Sequence, residues 1–90
     1  MIGTAILSHG LESGPDATKV TAMAAMAEQL GWRTLRPDYR DLDAAHGLEA
    51  APQRLARLLE VAKSVDGPIV LAGSSFGAFI SGLASLRIET

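Results

Sequence analysis

Apolar and polar positions succeed one another in blocks along this chain. Residues 4–8 form a short apolar segment that stops at His9-Gly10, the pattern of a buried strand. Ser13-Gly14-Pro15-Asp16 is a turn cluster, and Asp16 or Ser13 is placed to cap the element that follows. Over residues 17–30, Val20, Met23, Met26, Ala27 and Leu30 recur at spacings of three and four, which predicts one face of a helix. Gly31 stands where a left-handed helix stop belongs. Thr34-Leu35 predicts a second short strand, with Pro37 marking an edge or an early strand end. Residues 40–47 read as a polar connection. A second helical face follows in Ala51, Leu55, Leu58, Leu59 and Ala62, with Gln53, Arg54, Arg57 and Glu60 expected on the solvated side. Asp66-Gly67 turns the chain into a third apolar strand over 68–73, and residues 78–86 continue as an apolar helix rich in small side chains.

Three strands alternating with three helices imply parallel strands joined by right-handed crossovers. The strands are nearly continuous apolar runs, as a sheet covered on both faces requires. The expected architecture is therefore α/β, a three-layer α/β/α arrangement around a parallel sheet.

Composition narrows the picture. Ninety residues allow one small domain, and an apolar content of 48% is enough for a packed core. The net charge of −2 comes from interspersed acidic and basic side chains with no basic stripe, so nucleic acid is not an expected partner. The chain has no cysteine, which excludes a disulfide scaffold, a thiol nucleophile and a cysteine zinc site. The first seven residues lack the basic start of a secretory signal, and no stretch approaches the roughly 20 apolar residues of a membrane span. A soluble cytoplasmic domain is expected. Neither G-x-G-x-x-G nor G-x-x-x-x-G-K-[ST] is present, so a nucleotide cofactor is not expected.

The candidate chemistry lies where the third strand meets the third helix. Gly73-Ser74-Ser75-Phe76-Gly77 has the G-x-S-x-G pattern between a strand and a helix. A turn of this kind lifts a serine hydroxyl to the tip of a strained bend, and the flanking glycines let strand and helix approach. The small residues Ala78, Ser81 and Gly82 would let the helix lie close to the sheet. Its N-terminus would aim free N–H groups at the serine oxygen, favouring a developing oxyanion. Ser75 is the candidate nucleophile. The loop Ser8-His9-Gly10-Leu11-Glu12 could supply half of an oxyanion hole through the Leu11 N–H, with the Phe76 N–H as the other half. In folds that use this turn, the acid and the base follow the serine in sequence. On that ground His46 is expected to be a surface residue. Asp38 and Asp41 are expected near the end of the second strand, solvated or paired with Arg36 or Arg40. Trp32 is expected to pack.

These pieces resemble the N-terminal half of an α/β-hydrolase fold protein, of the small esterase-like type that opens on a His-Gly strand. The matching segments are residues 6–10, the helix up to Leu30-Gly31, the strand end Arg36-Pro37-Asp38-Tyr39, and residues 69–78, in the right order and over nearly the whole length. The resemblance implies a Ser–His–acid hydrolase of carboxylic esters, thioesters or related acyl bonds. In it Ser75 attacks the acyl carbonyl, Leu11 and Phe76 bind the oxyanion, and no metal or organic cofactor takes part. The family's acid and histidine come later than the serine, yet only thirteen residues follow Gly77 here and none is histidine. Residues 1–90 are therefore expected to be a single, incomplete hydrolase domain, inactive as it stands. The alternatives are a fragment or truncated gene product, and a chain completed by a partner or a symmetry mate. The third strand should then be an exposed apolar edge. A rival reading makes that edge the interface of a non-catalytic interaction module, through dimerisation or strand addition.

Overall fold

The computed structural model describes residues 2–88. Strand β1 (Thr4–Ser8) lies in the middle of a three-stranded sheet of order β2-β1-β3, with β2 (Arg33–Leu35) and β3 (Ile69–Gly73) both parallel to it. All five residues of β1 are buried, so its side chains must find partners on both faces. Successive strand side chains point to opposite faces. Ile6 therefore packs with Leu58, Ala62, Ile80 and Ala84 on one side, while Ala5 and Leu7 pack with Ala24 on the other. Helices α3 (Ala51–Lys63) and α4 (Phe76–Ser85) cover the first face and α1 (Thr18–Gln29) the second, which completes the three layers. Ile6, Leu58 and Ile80 are fully buried, each contributing about 1.5–3 kcal/mol. Trp32 packs against the α1 face, as expected.

Several local expectations need correcting. Neither Asp16 nor Ser13 caps α1: its N-cap is Ala17, with no side-chain cap hydrogen bond. Asp16 points into solvent and approaches Arg36 at 3.7 Å instead. On α1 the buried positions are Val20 and Ala24, while Met26 and Leu30 are each 65% exposed. Met26 belongs to an apolar groove with Met23, Leu7, Val70 and Ala72, along the side where β3 has no further strand neighbour among the described residues. Gly31, at φ 93°, is the left-handed stop that the sequence predicts. Strand β2 ends at Leu35 and is an edge, in keeping with Pro37.

The polar connection is helical. Helix α2 (Arg40–His46) is followed by a single 3-10 turn, Gly47–Ala50. Asp38 accepts the Arg40 backbone N–H at 2.9 Å, and Asp41 and Asp43 stand in the first turn, where the helix dipole favours carboxylates. On α4 the close approach to the sheet is made by Gly77, Ser81 and Ala84, with the Ser81 hydroxyl donating to the Ala72 carbonyl at 3.0 Å. Ala78 and Gly82, expected in that role, face outward. Among the described residues no helix is long and apolar enough to cross a membrane.

Candidate active site

The register of the sheet brings the two candidate loops together. Ser8 is paired with Gly73, so β1 and β3 end at the same level and their loops leave the sheet side by side. The Ser74 N–H donates to the Ser8 carbonyl at 3.1 Å and prolongs the ladder by one bond. In open parallel sheets, this carboxyl end is where ligands bind.

Both elbow glycines are sterically required. A Cβ on Gly73 would come within 2.5 Å of the Gly77 backbone, and one on Gly77 within 2.0 Å of the Ser8 carbonyl oxygen. Between them Ser75 is held at φ 53°, ψ −117°, a region costly for any residue with a side chain. It is exposed at the head of α4. Gly77, Ala78 and Phe79 donate their N–H groups to the carbonyls of Ser74 and Ser75. Among the described residues the Phe76 N–H is left without a backbone acceptor at the start of the helix.

The His9–Leu11 loop lies against this turn. A Cβ on Gly10 would stand 3.5 Å from the Ser75 Cβ, ordinary contact. Leu11 and Ser75 line one cleft of about 270 Å³, together with Thr18 and Lys19 at the start of α1. His9 borders that cleft, but both its ring nitrogens are engaged. Nε2 accepts the Tyr39 backbone N–H at 2.9 Å, which leaves Nδ1 to donate to the Gly10 carbonyl at 2.8 Å. The ring is thus a buried structural group with both nitrogens engaged. Its Nε2 also lies 3.9 Å from an Asp38 carboxylate oxygen.

The other titratable candidates lie apart. His46 is exposed in the last turn of α2 and does not border the cleft. Asp38 is gripped by Arg40, with distances down to 2.6 Å, and the Arg40 guanidinium and backbone N–H hold its carboxyl down to about 2. Asp41 pairs with Arg57 at 2.6 Å rather than with Arg36 or Arg40, and its pKa is lowered by that hydrogen bond. Burial raises the pKa of Tyr39, whose hydroxyl is 2.9 Å from Ser8 Oγ. Among the described residues, no group of three or more acidic or histidine side chains could hold a metal ion.

The residue that sequence reasoning missed is Arg54. It was expected on the solvated face of its helix; it is fully buried. Its Nε and Nη2 donate to the two carboxylate oxygens of Asp43 at 2.8 and 2.5 Å. Nη1 donates to the His9 carbonyl at 2.7 Å and Nη2 to the Gly10 carbonyl at 3.2 Å. The guanidinium also lies 4.5 Å from the Tyr39 ring centroid and 4.7 Å from that of Phe76. A signal was available: Arg54 precedes Leu58 and Ala62 at intervals of four, on the line that carries the buried stripe.

A parallel sheet with a strained strand–serine–helix turn at its carboxyl rim defines a partial α/β-hydrolase fold. Comparison with solved structures agrees. The chain matches a candidate hydrolase of the α/β superfamily from Xanthomonas campestris pv. campestris, with 53% identity and a TM-score of 0.92 over 98% of this chain. The match spans 54% of the Xanthomonas chain, its N-terminal half. No protein-family model and no curated protein matches the chain.

Proposed function

We propose that this chain carries the nucleophile half of a serine hydrolase acting on carboxylic ester or related acyl bonds of small molecules, in the cytoplasm. Ser75 Oγ attacks the acyl carbonyl and the alcohol or thiol leaves. Water then hydrolyses the acyl-serine, releasing the carboxylic acid and restoring the Ser75 hydroxyl. The N–H groups of Leu11 and Phe76 stabilise the oxyanion, each worth about 3–4 kcal/mol in the transition state. The observation that carries this reading is the strained φ of Ser75 at the rim, beside a loop that shares its cleft. His9 is occupied and His46 lies apart, so the general base and its acid are assigned to sequence beyond the matched half, and the 90-residue chain alone is inactive.

The test is labelling by a fluorophosphonate probe. Ser75 should label only when the chain is co-expressed with the part of the Xanthomonas protein that lies beyond the match, and Ser75→Ala should abolish the label. Turnover of an activated ester by the chain alone, lost in His46→Ala, would overturn the assignment.

A second reading is favoured by the edge strand β3, where Val70 is 42% exposed beside the exposed Met26. It is a non-catalytic module that dimerises or adds a partner strand there, with no role for nucleic acid.

A further inference from the structure

Arg54 breaks an otherwise apolar stripe, and burying a charge costs several kcal/mol before its partners are counted. What it touches suggests why it is there. Asp43 takes two of its hydrogen bonds and thereby aims the guanidinium. The other two go to consecutive carbonyls, His9 and Gly10, in the loop that lines the Ser75 cleft. Its flat face meets the ring of Phe76, the residue directly after Ser75.

The Gly10 carbonyl and the Leu11 N–H belong to one peptide unit. That unit is planar and trans, so the two groups point in opposite directions. Arg54 and the His9 Nδ1–H hold the Gly10 carbonyl on the buried side. The Leu11 N–H must then face the other way. Glycine has the widest backbone freedom, and without the anchor this peptide could flip. Resting on the reading of Ser75, Leu11 and Phe76 given above, we propose that Arg54, aimed by Asp43, is a positioning residue. It orients the Gly10–Leu11 peptide so that the Leu11 N–H faces the Ser75 cleft, and it seats Phe76 at the same time. Lysine cannot substitute, because only the planar fork reaches both carbonyls and both carboxylate oxygens while stacking on two rings.

The direct test is amide ¹⁵N relaxation dispersion on the 90-residue chain and its Arg54→Lys, Arg54→Met and Asp43→Asn variants. Wild type should show no exchange broadening at Leu11. Each variant should broaden or shift Gly10, Leu11 and Phe76 while the amides of β1 and β3 stay in place. If Arg54→Met does not fold, the other two variants report the same quantity. A variant whose melting temperature falls while its Leu11 and Phe76 amides match wild type would overturn the proposal, as would a wild-type-like Arg54→Lys. In the co-expressed assembly the variants should label Ser75 about 10- to 100-fold more slowly, less than the ~10²–10³ expected from outright loss of a donor. Unchanged labelling would overturn the proposal. An assembly whose wild type never labels would instead sink the hydrolase reading, and the amide measurements would still decide the role of Arg54.

Discussion

At the carboxyl rim, where β1 and β3 end in register, each buried polar side chain among the described residues has a hydrogen-bond partner. Along the outer edge of β3 the situation is reversed. Val70 is 42% exposed and Met26 opens an apolar groove beside it. The rim is determined from within this chain: its glycines, its strained serine and its buried arginine constrain one another. The edge meets no further strand among the described residues. Among the described residues, the rim is thus closely packed while the outer edge of β3 stays open.

That contrast can be broken most forcefully at the rim. Gly77→Ala places a Cβ against the Ser8 carbonyl, and β1 cannot yield without losing its pairing with β3. A loss of about 4 kcal/mol or more is expected, the range reserved for specific structural faults, and urea denaturation would show it. Ser75→Gly should act in the opposite direction. Relief of the strained backbone should raise stability by about 1 kcal/mol in the same assay, at the low end of the cost of such conformations. A neutral result would mean the turn relaxes without strain. The smallest effect on stability belongs to the edge. Val70→Lys should change it by no more than about 0.5 kcal/mol, as at other exposed positions. It should nonetheless convert any self-associated fraction to monomer in size-exclusion chromatography with light scattering, because edge lysines block strand pairing. A stable dimer that survives the substitution would count against the edge as an interface.

The layered parallel fold was legible because its signals are local or periodic: apolar runs, three-four spacing, and glycine at helix stops. Ser75 was legible for a similar reason, since the steric demands of its turn fall on residues two positions away. Helix α2 escaped because its support comes from Asp38 and from acidic side chains near its start, which in sequence look like any polar loop. The outward placement of Ala78 and Gly82 escaped because small size reveals no facing. Arg54 escaped for the deepest reason. Its spacing from Leu58 and Ala62 hints at burial, but its partners come from three distant segments that the stripe does not report.

The pairing of Ser8 with Gly73 also bears on how the molecule comes into being. The two residues lie near opposite ends of the chain, and parallel neighbours so far apart must close a long loop before any contact rewards them. During synthesis, β1, α1 and β2 can emerge and pair early, but the serine turn has no wall to lean on until β3 docks. The cleft therefore forms only after β3 has paired with β1. Any nascent chain that stalls before Gly73 would present β1, buried on both sides in the finished fold, as an open strand.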